Sequence, residues 1–226
     1  FRSASVPPGP PDAALKSNDP PAPAPVPIPA SPTPDSVADA VTRLKHPDWN
    51  TRYQSTVWLD KQKPAADNRA AVAGALADLL ADNDVAIHTA ALTALHHWAD
   101  ASVDQTLAAK IPESKGDARH ELLDLAATLK TPALAEAVAP LLADADERLW
   151  TRRCLLAMGA AAEKAVDGQL ENEDPAIRRE ACHLLETIGT RASIPALKAH
   201  LRVTEKDDSV QSAATVAIAI IQSRGK

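Results

Sequence analysis

The sequence predicts an all-α solenoid of about six helix pairs, preceded by a disordered proline-rich arm. Composition favours helices over strands: the apolar 45 % of the chain is mostly Ala, Leu, Val and Ile, and seven glycines are few for a protein with many turns. Alanine and leucine are strong helix formers, whereas aromatic residues favour strands and number one Phe, one Tyr and four Trp. An internal repeat predicts how the helices are arranged.

Residues 1–34 are predicted to be a proline-rich disordered linker, and residues 35–226 the repeat domain. The first segment holds twelve of the nineteen prolines, which are densest in PPAPAPVPIPASPTP, from Pro20 to Pro34. Because proline fixes its own φ and favours an extended predecessor, this stretch should form a polyproline II rod of about 3 Å per residue. We interpret it as a spacer; the alternative is a ligand for a proline-recognising domain, although no Arg or Lys flanks its densest part.

From residue 35 onward, apolar residues recur at the spacing of an amphipathic helix, and this stripe repeats along the chain. Copies begin at Thr51, Ile87, Ala118, Trp150 (with Leu149 nearly as good an origin), Ile177 and Val210. Second helices are predicted between the stripes, at about 66–81, 103–111, 133–142 and 192–201. Because one small helix pair cannot cover its own apolar face, the pairs are expected to stack around a continuous core.

Polar residues recur in step with the stripes. An aspartate stands three residues before the stripe origin, where a helix N-cap is wanted, at Asp48, Asp84, Asp174 and Asp207. An arginine follows the origin by one residue at Arg52, Arg119 and Arg178. This Asp-x-x-apolar-Arg pattern over residues 35–226 resembles HEAT repeats, in particular the short variety named after phycobilisome lyases.

The resemblance implies a role for these polar residues. In HEAT-like repeats such aspartates and arginines form interhelical ladders that tie one repeat to the next. The same structural role is therefore expected for Asp48 with Arg52 and for Asp174 with Arg178, and Arg119 occupies the equivalent position in its repeat.

A cofactor-binding enzyme on the same solenoid, bilin lyase-like or di-iron hydroxylase-like, is the alternative that the resemblance raises. Deoxyhypusine hydroxylases are also HEAT-like, and in that family a di-iron site is built from His-Glu pairs of several repeats. Here only His120 and Glu121 match that position, whereas a di-iron centre needs about six ligands. We therefore expect no metal, no cofactor and no catalytic residue. The cysteines, Cys154 and Cys182, are predicted to be small core residues.

A non-catalytic protein–protein interaction scaffold is the function that the sequence favours. By resemblance, the stripe helices line the concave side of the solenoid, and outward positions on them form the candidate partner-binding strip. That strip comprises Tyr53, His120, Arg152, Arg153, Arg179 and His183. Its local positive charge suits an extended acidic segment of another protein.

Charge and hydropathy exclude other classes of partner. The net charge of −6 lies entirely on residues 35–226, because Arg2 and Lys16 cancel Asp12 and Asp19; nucleic-acid binding is therefore not expected. No apolar run approaches the roughly 18–20 residues that cross a bilayer, so we expect no direct membrane insertion within this chain. Since the sequence begins at Phe1, it is interpreted as a processed product or a piece of a longer protein, with any signal peptide or anchor upstream.

Overall fold

The computed structural model describes residues 33–82, 84–203 and 206–224, apart from the side chains at positions 200, 202 and 203. The prediction of a disordered arm at residues 1–34 therefore lies outside the described residues, except at its last two positions. The boundary between residues 34 and 35 stays a prediction. The predicted all-α solenoid is confirmed by the described residues, which contain helices and turns but no β-strand.

Twelve α-helices are present within the described residues. They are α1 (Val37–Arg43), α2 (Trp49–Asp60), α3 (Arg69–Asp78), α4 (Val85–Trp98), α5 (Asp104–Glu113), α6 (Gly116–Leu129), α7 (Pro132–Val138), α8 (Arg148–Met158), α9 (Glu163–Gly168), α10 (Pro175–Ile188), α11 (Ile194–Val203) and α12 (Asp208–Arg224). Short 3₁₀ turns extend several of them, at Leu79–Ala81, Ala101–Val103, Ala139–Ala143, Gly159–Ala162 and Gln169–Glu171.

The helices form two layers of six. Each odd-numbered helix packs against the even-numbered helix that follows it, which gives six consecutive pairs. The even-numbered helices, which carry the stripes, pack side by side in chain order from α2 to α12. The odd-numbered helices form the second layer from α1 to α9, and α11 joins it through the 3₁₀ turn that follows α9. A repeat of two helices, stacked on its neighbours, is the arrangement that the sequence repeat predicts.

The predicted stripes supply the core. The α4 stripe (Ile87, Ala91, Ala94, Leu95, Trp98) and the α10 stripe (Ile177, Ala181, Leu184, Leu185, Ile188) are buried throughout. Trp98 also ties two pairs together, because its indole Nε1 donates a hydrogen bond to the Leu59 carbonyl 2.9 Å away. Cys154 and Cys182 are buried as predicted. The core is therefore one continuous apolar cluster along the array.

The stripe predicted for α8 is confirmed only in part. Cys154 and Met158 are buried and Trp150 packs against the core, but Ala157 is exposed. Thr151 and Leu155, which the stripe left out, are buried. Trp150 is only partly buried, because its ring also stacks on His120 of α6, a contact that the periodicity does not contain. Leu149, the other candidate origin, is 74 % exposed.

The predicted N-caps are confirmed. Carboxylates of Asp48, Asp84 and Asp174 accept hydrogen bonds from backbone N–H groups in the first turns of α2, α4 and α10. Asp207 does the same for the N–H groups of Ser209 and Val210. Each cap satisfies donors that have no partner within their own helix, so the starts of these four helices are fixed by their local sequence.

Two differences concern the second layer. Helix α9 was not among the predicted second helices, because its six residues are too few to show a periodic pattern. Pro112, a residue type that ordinarily lies between helices, is the next-to-last residue of α5. Pro140 behaves as expected of a helix breaker: α7 ends at Val138 and the chain continues in a 3₁₀ turn.

Candidate interaction surface

Arg52 connects the first helix pair to the second. Its Nε lies 2.9 Å from Asp82 Oδ2 at the end of the following pair's first helix, and its Nη1 donates to the carbonyls of His46 and Pro47, both at 2.9 Å. The Asp48 carboxylate is engaged elsewhere, as the cap that accepts from Thr51. The carboxylate that Arg52 contacts is therefore that of Asp82, and the ladder role of Asp48 with Arg52 stays a prediction.

The pKa of Asp82 reflects this contact. Burial alone would raise it, but hydrogen bonds from the Asp84 N–H and from Arg52, together with the positive charge of Arg52, outweigh burial and lower the pKa. Asp82 therefore stays ionised well into the acidic range and keeps its attraction for Arg52.

Arg119 occupies the equivalent position in the third pair and is buried. Its Nη1 lies 3.3 Å from Glu147 Oε1 and 3.6 Å from Asp144 Oδ2, in the segment that precedes α8. Its Nη2 donates to the Pro112 carbonyl at 3.3 Å. Both Arg52 and Arg119 thus reach an acid about thirty positions further along the chain, in the next pair.

Arg178 repeats part of this pattern in the fifth pair. Its Nη1 donates to the carbonyls of Asn172 and Glu173, each at 2.9 Å, just as Arg52 binds the carbonyls before its own helix. Asp174 accepts from the Ala176 N–H at 2.8 Å and caps α10. These contacts of Asp174 and Arg178 fix the start of α10. The assignment of the two residues to an interhelical ladder stays a prediction.

The predicted partner-binding residues lie on four helices of one layer: Tyr53 on α2, His120 on α6, Arg152 and Arg153 on α8, and Arg179 and His183 on α10. We call this set the outward strip. The structure brings the α6, α8 and α10 members onto neighbouring helices. Tyr53 is set apart from them, because α4 packs between α2 and α6.

His120 of the outward strip lies against Trp150 of α8, which is not a member of the strip. Their rings stack at a centroid distance of 4.2 Å and an interplanar angle of 17°, and His120 Nε2 lies 3.2 Å from Glu147 Oε2. Glu121, the other half of the His-Glu pair, points to His96 of α4, with 4.0 Å between Glu121 Oε2 and His96 Nε2. His120 and Glu121 therefore contact different helices.

The cationic members of the strip each contact a neighbouring helix or pair. Arg152 Nη1 lies 3.3 Å from Glu180 Oε1 on α10, and Arg153 Nη2 lies 3.7 Å from Asp124 Oδ1 on α6. The Arg153 guanidinium also lies 5.2 Å above the Trp150 ring, within cation–π range. These acids stand about thirty positions from the arginines, so the pairing could not be predicted from local spacing.

The remaining members contact their own helix or the next one. Arg179 Nη1 lies 3.2 Å from Ser209 Oγ, at the start of α12. His183 Nδ1 lies 2.9 Å from Glu186 Oε1, one turn along α10. Arg152, Arg153 and Arg179 all remain exposed, so their contacts do not remove them from the surface.

A groove between α2 and α4 was missed by the sequence reasoning. Its volume is about 620 Å³. Its lining residues are Tyr53, Val57 and Asp60 of α2, with Val85, Ala86, Thr89, Ala90 and Thr93 of α4. Trp49 adjoins it, with its ring centroid 6.2 Å from that of Tyr53. One signal was available: Trp49 and Val85 directly follow capping aspartates, at first-turn positions that point away from the stripe.

The thiols lie in surroundings that disfavour reaction. Burial, with a smaller contribution from the Asp124 charge, raises the pKa of the Cys154 thiol to about 12. Its Sγ lies 3.1 Å from the Leu123 carbonyl, which accepts its hydrogen bond. Cys182 is fully buried on α10. In the described part of the chain, no group of three or more His, Cys, Asp or Glu side chains is placed to hold a metal ion.

Two acids of α9 have opposite pKa shifts. Burial would raise the pKa of Glu163, but hydrogen bonds from Ser193 and Thr190 outweigh it and lower the pKa. Burial raises the pKa of Asp167; a hydrogen bond with Ser193 opposes the increase, and the nearby Glu163 charge adds to it. Asp167 Oδ1 is buried without a hydrogen-bond partner, so the ionised form of Asp167 lowers the stability of the fold at neutral pH.

Comparison with known proteins gives similarity of structure and no match of sequence. No protein-family model and no curated protein matches the chain. A solved archaeal HEAT-like repeats protein from Thermococcus onnurineus NA1 is similar at a TM-score of 0.47 and 15 % identity, over 83 % of this chain and 87 % of that one. Human deoxyhypusine hydroxylase, solved in complex with glycerol, is similar at a TM-score of 0.40 and 16 % identity, over 83 % and 84 % of the two chains. At these identities and TM-scores, the similarity gives no information about the activity or the partner of this chain.

One further property of the helices concerns membranes. Among the helices in residues 33–82, 84–203 and 206–224, none combines the length and the apolar character that a bilayer span requires.

Proposed function

We propose that this chain is a non-catalytic protein–protein interaction scaffold whose outward strip contacts a partner. The observation that carries the proposal is the arrangement of the even-numbered helices, which brings the exposed arginines of α8 and α10 next to the partly buried His120 of α6. Such a surface extends over several repeats and is suited to an elongated partner segment.

An extended acidic segment is the partner chemistry that the strip favours. Arg152 and Arg153 keep 46 % and 66 % of their side chains exposed, although each lies near a carboxylate. Exposed ion pairs of this kind contribute about 0–1 kcal/mol. A carboxylate of the binding partner can therefore replace the internal carboxylate beside Arg152 or Arg153 at little cost in free energy. A bidentate contact to the guanidinium would add both affinity and orientation.

Partner capture by the whole chain tests this proposal. The chain is used as bait in lysate from its source, beside the double variant Arg152→Gln/Arg179→Gln and the control Lys164→Gln. Lys164 is 89 % exposed and lies on α9, in the other layer. We expect the double variant to lose the captured partner and the control to keep it.

Glu180→Gln provides a test with the opposite sign. It removes the carboxylate that Arg152 contacts, so binding of an acidic partner should become stronger. If the double variant and the wild type captured the same partner equally, the outward strip would not be the binding surface. If the purified chain held stoichiometric iron or a visible chromophore and captured no partner, the scaffold proposal would be wrong and the cofactor-binding enzyme would replace it.

A further inference from the structure

We infer that the groove between α2 and α4 binds an extended, proline-containing segment of the partner, with a basic residue placed at its Asp60 end. This inference rests on the proposed scaffold function and adds a second contact, separated from the α6, α8 and α10 part of the outward strip. Three features of the groove support it: the apolar lining, the aromatic pair of Trp49 and Tyr53, and the carboxylate of Asp60.

The groove gathers apolar residues of two neighbouring helices into one surface. Trp49 and Val85 are 45 % and 79 % exposed at one end, and Val57, Ala86 and Ala90 continue the apolar lining between the helices. At the corresponding outward positions, α6 and α10 carry His120, Asp124, Arg179 and His183. Apolar area that stays exposed on one part of a monomer surface is typical of a binding site.

The aromatic pair favours an extended occupant. Trp49 and Tyr53 lie one turn apart on α2, with their ring planes inclined at 46°. Proline-rich segments in the polyproline II conformation bind aromatic-lined grooves, because their shape is preformed and little entropy is lost.

Asp60 supplies the charge that selects a basic residue. It is the last residue of α2, where the helix dipole disfavours a carboxylate and favours a cation. Its Oδ1 is buried without a hydrogen-bond partner, and the nearby group is His97 Nε2, at 3.6 Å and 60 % exposed. A Lys or Arg from the partner would place a permanent positive charge there, as electrostatic complementarity requires.

A randomised eight-residue peptide library, panned against the whole chain, tests this inference. We expect enrichment of sequences that combine proline and small apolar residues with a single Lys or Arg at a fixed position. The best peptide is then synthesised and its Kd measured by isothermal titration calorimetry against wild type and variants. Enrichment of amphipathic helical sequences, of acidic sequences that ignore the groove variants, or of no sequence at all would overturn the inference.

Two substitutions identify the groove as the site. Thr93→Lys places a long cationic side chain in the groove and should weaken binding about tenfold or more. Its matched control is Thr128→Lys on α6, because both threonines are exposed and both donate their hydroxyl to a carbonyl one turn earlier. Asp60→Asn should weaken binding about tenfold for the basic peptide and leave a Lys/Arg→Gln version of the peptide unaffected.

The two proposals fail in distinguishable ways. If Thr93→Lys and Thr128→Lys bind the selected peptide equally, the groove assignment is wrong. In that case, loss of the lysate partner with Arg152→Gln/Arg179→Gln would still support the scaffold function. If the chain captures no partner and no peptide is selected, both proposals are wrong.

Discussion

Helices α2 and α4 differ from α6, α8 and α10 in what they present to solvent, although all five belong to the same layer. Around α2 and α4 the outward residues are aromatic, aliphatic or small, and they line a groove. On α6, α8 and α10 the members of the outward strip are arginines and histidines, and three of them, His120, Arg152 and Arg153, contact acids of a neighbouring helix pair. The inward residues of both regions are equally buried. The repeat therefore constrains the core side of each helix and leaves the other side free to diverge.

The polar contacts between pairs differ in a related way. In the first region, Arg52 and Asp82 form a partly exposed pair, and buried Trp98 donates to the Leu59 carbonyl. In the second region, Arg119 and Glu147 are both nearly buried, and His120 also faces Glu147. One region is held by a hydrogen bond inside the core, whereas the other depends more on buried charge.

The largest expected effect tests whether the two regions share one core. Ile87 and Ile177 occupy the same stripe position in α4 and α10, and both are 0 % exposed. Ile87→Asp and Ile177→Asp should each destabilise the fold by about 3 kcal/mol or more, because an unpaired charge is buried. Urea unfolding followed by circular dichroism measures this. Leu149→Asp is the exposed control, and a loss limited to one of the two isoleucines would show that the regions do not share a cooperative core.

A smaller effect distinguishes the two arginines. Arg119→Met leaves Glu147 buried beside His120 alone and should cost about 3 kcal/mol. Arg52→Met should cost about 1 kcal/mol, because Asp82 keeps its backbone hydrogen bond from Asp84. Adding Glu147→Gln to Arg119→Met should recover part of the loss, since the unpaired charge is removed. Equal costs for the two arginine variants in urea unfolding would contradict the difference drawn between the regions.

The smallest expected effects concern pH and have opposite signs in two acids. The pKa of Asp82 is lowered in the fold, so its ionised form stabilises above the ordinary value of 3.8, and this stability is lost as the pH falls through the folded pKa. Asp82→Asn should therefore destabilise by about 1 kcal/mol at pH 7. The difference from wild type should shrink below about pH 4.

Asp167 is the counterpart, because its pKa is raised in the fold. Its ionisation then costs stability as the pH rises through the folded pKa, and below the unfolded pKa there is no cost. Asp167→Asn should stabilise the protein by up to about 1 kcal/mol at pH 7 and have no effect below about pH 4. Thermal melts at several pH values measure both variants, with exposed Glu171→Gln as the control. If Asp167→Asn were destabilising at pH 7, the assignment of ionised Asp167 as a cost would be wrong.

Much of the fold followed from short-range pattern. The stripes of α4, α6, α10 and α12 and the capping aspartates were predictable, because helix formation and capping depend on residues within about four positions. Helix α9 escaped prediction because six residues are too few to show a period. In α8 the predicted stripe included exposed Ala157 and left out buried Leu155, and the stacking of partly buried Trp150 on His120 did not follow from the spacing.

The candidate site was less predictable than the fold. Sequence alone indicated which residues of α6, α8 and α10 would point outward, but not that Arg152 would lie beside Glu180 or Arg153 beside Asp124. It likewise named Tyr53 without the groove that Tyr53 shares with α4. These features join residues about thirty positions apart, so they require the relative placement of neighbouring pairs.

By itself, the sequence determined the class of fold, the number of helix pairs and the inward face of most stripe helices, because local spacing decides which side of a helix is apolar. Only the tertiary structure decided that Arg52 contacts Asp82, that Trp150 stacks on His120 and that α2 and α4 enclose a groove. The reason is physical: the energies of ion pairing, ring stacking and groove formation depend on distances between helices, and those distances are set by how successive pairs pack.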